Sequence, residues 1–278
     1  MSHAGFAGKP NGRLSLAGLV KPEPQVKADR VFEVGTIRTK TGWLAFSGTV
    51  SHKAISRGIA AMLDSAVARR HMVDGQIRTA DVTNPSLVTA MLTVPRELFV
   101  TPALASQAYR DGDVPLGQGR FLLRPMVLAK LIHGADLRPG EHVLDVGCGT
   151  GYSAAVLAHM GASVVALEED PGLARLAESA LAAAGSAQTM VVTGPLAQGW
   201  PAAAPYDLIF FNGATEITPD ALGRQLKPSG RLAAVFGRGP GTKAMIYRQI
   251  EGKLVGRPIF DAGAPVLPGF AAPPAFAF

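Results

Sequence analysis

Three glycines at alternate positions, Gly147, Gly149 and Gly151, close the apolar run Val143-Leu144-Asp145-Val146 and precede Tyr152-Ser153-Ala154. An apolar run that stops at glycine and resumes with helix-forming residues reads as a strand, a tight turn and a helix. Glycine lets the backbone turn sharply and lets a ligand approach without Cβ interference. The helix start offers free N–H groups. Glu168 lies 21 residues after Gly147, at the end of the next apolar run. An acid there can accept both hydroxyls of a ribose. Two neighbours compete for the role. Asp170 precedes Pro171 and reads as the N-cap of the next helix, and Glu169 points to the opposite face. No Gly-Lys-Ser/Thr follows the turn, which argues against a phosphate-binding loop. The indicated chemistry is the holding of a nucleoside-bearing cofactor.

The elements that must position these residues alternate. Strands are expected at Glu141–Val146, Ser163–Leu167, Thr189–Thr193, Asp207–Phe211 and Arg231–Phe236. Helices are expected at Tyr152–Met160, Pro171–Ala184 and Pro219–Leu226. Short strands separated by helices indicate βαβ units and a parallel sheet covered on both faces. Ala244–Ile250 and Leu254–Phe260, around Glu251-Gly252-Lys253, read as a hairpin at the sheet edge. Upstream, Met62 to Ile77 follows helical spacing. Asn84-Pro85 opens a second helix that runs to about Thr93, and a third begins near Pro125 and ends at Gly134. Tyr109 to Arg120 is polar, glycine-rich and without a predicted element. The expected fold is α/β: a Rossmann-like, doubly wound, mostly parallel sheet with an antiparallel C-terminal edge hairpin and N-terminal helices.

The chain has 278 residues, a formal net charge of +6 and one cysteine, Cys148. A single cysteine excludes an intramolecular disulfide and a multi-cysteine zinc site. The histidines, His3, His52, His71, His133, His142 and His159, show no metal-ligand spacing, so no metal is expected. Cys148 sits near a helix N-terminus, which can lower a thiol pKa, but packing beside a cofactor is the simpler account. Residues 1–61 hold nine Lys and Arg against three acids, the whole of the excess; the remainder carries 18 of each sign. This asymmetry divides the chain into 1–61, a basic and flexible extension, and 62–278, the folded domain. Met62 and Met72 stand as alternative starts. The extension has only Phe6, Phe32, Trp43 and Phe46 as aromatics, without the interleaving of an RNA platform, so no nucleic acid is expected. No run is long and apolar enough for a membrane span, and the first thirty residues lack a signal-peptide core. A soluble cytoplasmic protein follows, with no membrane partner.

The pattern Gly-Cys-Gly-Thr-Gly, with Asp145 two residues before it, resembles the first motif of class I S-adenosylmethionine-dependent methyltransferases more than the G-x-G-x-x-G of NAD enzymes. Further segments narrow the resemblance: Met72-Val73 with Gln76-Ile77-Arg78, Val94-Pro95-Arg96-Glu97-Leu98-Phe99-Val100, Ala108-Tyr109, Val114-Pro115-Leu116-Gly117-Gln118-Gly119, Pro205-Tyr206-Asp207 and Leu226-Lys227-Pro228-Ser229-Gly230. Together they resemble the protein-L-isoaspartate O-methyltransferase family from about Met62 to about Gly269. The resemblance implies S-adenosylmethionine as cofactor, held by Asp145, Gly147, Cys148, Gly149, Gly151 and Glu168. It also implies a protein or peptide substrate carrying an isoaspartyl carboxylate.

The departures fall at the substrate side. After Gly-x-Gly the family continues Gln-Thr-Ile-Ser-x-Pro, whereas this chain reads Arg120-Phe121-Leu122-Leu123-Arg124-Pro125. Leu123 replaces the family serine at the active site. Gly194-Pro195-Leu196 replaces Gly-Asp-Gly, removing an acid near the adenine, and Asn212 stands where the family has Thr. Arg120 and Arg124 can hold a carboxylate through charge-assisted bonds, or serve as solvated charges flanking a loop. Asn212 can hold a substrate or cofactor group, or only satisfy backbone. Transfer to a different acceptor, and cofactor binding without transfer, stand as alternatives.

Overall fold

The computed structural model describes residues 37–39, 42–44 and 64–273. These fall into two units, each taken by itself. The first holds a two-stranded antiparallel pair, β1 (Ile37–Thr39) and β2 (Gly42–Leu44). The expected flexible extension over residues 1–61 lies for the most part outside the described residues.

The second unit begins with a helix over residues 64–72, α1, which continues through a π-helical turn, Val73–Ile77. Helix α2 (Pro85–Thr93) starts where expected: the extended Asn84 accepts the Leu87 N–H at 3.1 Å, with proline at the first helical position. It buries Leu87, Val88, Ala90 and Met91 and stops at Val94, which the following proline forces into the β region. The glycine-rich segment holds an element that polarity concealed: a small hairpin of β3 (Val114–Gly117) and β4 (Arg120–Leu122). Its tip residues Gln118 and Gly119 have φ of 51° and 68°, the left-handed pair of a type I′ turn. Helix α3 (Pro125–Ala135) follows directly.

The main sheet alternates as expected: β5 (His142–Val146), α4 (Tyr152–His159), β6 (Ser163–Glu168), α5 (Pro171–Ala183), β7 (Met190–Thr193), β8 (Tyr206–Thr215), α6 (Asp220–Gly223), β9 (Leu226–Phe236), β10 (Lys243–Ile250) and β11 (Lys253–Asp261). Its seven strands stand in the order β11-β10-β9-β8-β5-β6-β7. The five strands from β7 to β9 are parallel; β10 and β11 form the antiparallel edge. Successive residues of the central strands enter opposite cores. Val143, Leu208, Phe210 and Ala233 face one layer, and Leu144, Ile209, Phe211 and Leu232 the other. Burial on both faces explains why these strands read as continuous apolar runs.

The boundaries of α6, β8 and β9 differ from expectation. Helix α6 is one turn, Asp220–Gly223, because the chain from Leu226 is taken up by pairing with Tyr206 of β8. Strand β8 continues beyond Phe211 through a bulge between Phe210 and Ala214. Among the described residues, no helix is long and apolar enough to cross a membrane.

Candidate functional site

Chain order reverses between β5 and β8, so a crevice opens beyond their carboxyl ends, where α/β sheets receive ligands. The glycine turn leaves β5 at this point. Gly147 has a φ of +70°, and its N–H donates to Leu167 O at 2.8 Å, tying the turn to the end of β6. Only glycine takes this backbone without strain. The turn then enters α4 through Gly151, with Gly151 N–H on Cys148 O at 2.8 Å.

Glu168 ends β6 as expected, with its carboxylate fully buried. Its Oε2 accepts the Gly149 N–H at 2.7 Å, and its Oε1 accepts the N–H groups of Glu169 and Asp170 at 3.0 and 3.3 Å. Three backbone donors suit an ionised carboxylate. Asp170 caps α5 by accepting the Leu173 N–H at 2.8 Å, and Glu169 is exposed. The cap role of Asp170 and the outward course of Glu169 agree with the sequence reading.

Asp145, also fully buried, faces a second polar group. Its Oδ2 accepts from Ser153 Oγ of α4 at 2.7 Å, and its Oδ1 accepts from the Asn212 amide of β8, which also donates to Ser153 Oγ at 2.7 Å. Burial pushes the Asp145 carboxyl up to about 7, against the opposing pull of its bonds to Ser153 and Asn212. Asn212 thus lies within the β8 bulge rather than at a strand end. Ser153, which completes the triangle, was not visible from spacing alone. Cys148 is buried in the turn, and burial pushes its thiol well above the ordinary value, so the helix terminus does not activate it.

The residues expected on the substrate side are dispersed. Arg120 points inward: its Nη2 donates to Gly147 O at 2.5 Å and pairs with Glu168 Oε2 at 3.2 Å. Arg124 pairs with Asp113 at 3.3 Å, and its own N–H donates to the same carboxylate at 2.8 Å. The Leu123 side chain is 2% exposed and belongs to the apolar core. Its carbonyl receives Arg96 Nη2 at 2.5 Å, while Arg96 Nε donates to Ala108 O at 2.6 Å. Arg96 falls in the segment Val94–Val100, where spacing alone assigns it no role. It is fully buried, lies 4.6 Å from the Tyr152 ring and joins the segments on either side of the β3–β4 hairpin. Thr150 Oγ1 donates to Phe99 O at 2.5 Å, fastening the glycine turn to the same region. An apolar cleft of about 320 Å³ adjoins the turn, lined by Leu98, Phe99, Leu116, Thr150 and Leu176 among others.

A family model described as protein-L-isoaspartate(D-aspartate) O-methyltransferase (PCMT) matches residues 67–259. A protein-L-isoaspartate O-methyltransferase of Methylorubrum extorquens is 43% identical over 190 residues, 68% of this chain and 82% of that protein. One of Gloeobacter violaceus is 40% identical over 166 residues, covering 60% and 81%. A solved protein-L-isoaspartate O-methyltransferase superposes with a TM-score of 0.64 at 24% identity, covering 72% of this chain and 66% of that one. At that identity the superposition speaks for the fold, and it agrees with the sheet described above.

Proposed function

This chain belongs to the protein-L-isoaspartate O-methyltransferase family, and from that premise we propose that it methylates isoaspartyl carboxylates of proteins and peptides with S-adenosylmethionine. The observation that carries the reading is the glycine turn at the β5–β8 switch point with a buried carboxylate, Glu168, at the end of the adjacent strand.

The residues present fit the cofactor. The acceptors around the turn, Gly147 O and the Glu168 carboxylate, already receive a cationic N–H donor, Arg120. The same polarity suits ribose hydroxyls and a cationic amino-acid end. In this reading Glu168 holds the ribose, and the Gly147–Gly151 backbone gives close approach, with Cys148 packed inside the turn. Asp145, enclosed by Ser153 and Asn212, acts through the Asn212 amide. When bound, the cofactor supplies an activated methyl group on a sulfonium sulfur.

The acceptor carboxylate is ionised near neutral pH, so no residue has to remove a proton. The work of the chain is alignment and exclusion of water. The bonds of Thr150 to Phe99 and of Arg96 to the segments flanking the hairpin support a defined wall for the cleft. Leu123, buried where the family carries serine, favours a second reading in which the acceptor differs. The test is transfer from methyl-labelled S-adenosylmethionine to an isoaspartyl peptide. Label recovered as a base-labile ester supports the first reading. Label on another acceptor, with none on the peptide, supports the second.

A further inference from the structure

The β3–β4 hairpin lies directly against the glycine turn. An ideal Cβ at Gly147 would stand 2.4 Å from Arg120 Nη2, and one at Gly149 would stand 2.8 Å from Leu116 Cδ1. Each hairpin strand therefore presses one side chain into a space that glycine leaves open. The Arg120 and Glu168 side chains are 5% and 0% exposed, so this is a buried ion pair.

We propose that Arg120 is a built-in competitor for the cofactor, occupying the acceptors at Gly147 and Glu168 until the hairpin withdraws it. The inference rests on the methyltransferase reading above and adds a regulation of the same site. Two observations distinguish a displaceable group from a fixed structural pair. First, Arg120 Nε is buried and finds no partner among the described residues. A buried cation that is incompletely bonded gives up little when it returns to water. Second, Glu168 keeps its three backbone donors, from Gly149, Glu169 and Asp170, when the arginine leaves. Its carboxylate stays bonded and positioned for an incoming hydroxyl.

The apparent affinity of a site available only part of the time falls by the fraction available. If the pair closes nine molecules in ten, removing the arginine strengthens binding about tenfold. The test is calorimetric titration of the full chain with S-adenosylhomocysteine, comparing wild type with Arg120→Gln and Arg120→Ala. Circular dichroism and an unfolding transition verify the fold of each. The expected result is binding at least about tenfold tighter in both variants. Equal or weaker binding in both overturns the competitor role while leaving the cofactor reading intact. Absence of binding heat in all three folded proteins overturns the cofactor reading, and the competitor role with it.

Discussion

Asn212 on β8 donates through its amide to Asp145 on β5, joining the two strands that flank the switch point, and the same amide reaches Ser153 Oγ on α4. Three elements thereby converge on one buried carboxylate. Glu168 lies at the end of the next strand, under its own set of donors. The two acids of the site are thus held differently: Glu168 by backbone N–H groups and the Arg120 guanidinium, Asp145 by two neutral side chains. Burial pushes the Asp145 carboxyl up to about 7, against the pull of its bonds to Ser153 and Asn212.

That rise has a signed consequence for stability. An aspartate in the unfolded chain titrates near ~3.9, so between about pH 4 and about 7 the folded protein holds more protons at this residue. The Asp145 contribution to stability therefore falls as pH rises through that window, with a slope approaching ~1.4 kcal/mol per pH unit, and levels off above it. Asp145→Asn removes this contribution. Urea unfolding of both proteins at several pH values from about 4.5 to 8 measures the difference; parallel profiles would contradict the burial of Asp145 as described.

Arg96 ties Ala108 and Leu123 together from a fully buried position, and desolvation lowers its proton affinity. Arg96→Ala leaves two carbonyls without their donor and a cavity beside Tyr152. A loss of roughly 3 kcal/mol is expected, with the hairpin segment 114–122 gaining amide exchange before the sheet does. Exchange that rises uniformly across the protein would argue against a local fastening role.

The Leu123 side chain is packed in the core, 2% exposed. Leu123→Ser both removes apolar contact and buries a hydroxyl, for a cost of about 3 kcal/mol. Chemical denaturation checks it. A serine variant as stable as wild type would place position 123 at the cleft surface instead.

Asp170 is the cap of α5, and only its backbone N–H touches Glu168. Asp170→Ala is expected to lower stability by about 1 kcal/mol while S-adenosylhomocysteine binding stays within about twofold of wild type, since the backbone donor remains. A large loss of binding at preserved stability would move Asp170 from the helix to the ligand.

The parts of the site legible in the sequence were those built from short-range pattern. The glycine turn and the Asn84 and Asp170 caps each follow from a few neighbouring residues, and the position of Glu168 from the end of the next apolar run. The β3–β4 hairpin was not legible, because strands of four and three residues show too little alternation and Gln118 is not the usual residue for a left-handed turn. The inward course of Arg120 depends on Glu168, 48 residues away, and the partnership of Asp145 with Asn212 spans 67. Contacts of that range come from the order of strands in the sheet. Similarly, the bulge that places Asn212 over Asp145 arises from pairing between β8 and β9, which local propensity does not express.

The central claim is selective methylation of an isoaspartyl carboxylate. The direct measurement is a single reaction holding the full-length protein, S-adenosylmethionine and equal amounts of an isoaspartyl peptide and its aspartyl isomer, read by mass spectrometry. The predicted result is a methyl ester on the isoaspartyl peptide and none on its isomer. Esters on both in equal measure, or on neither while S-adenosylhomocysteine binds the same preparation, would contradict it.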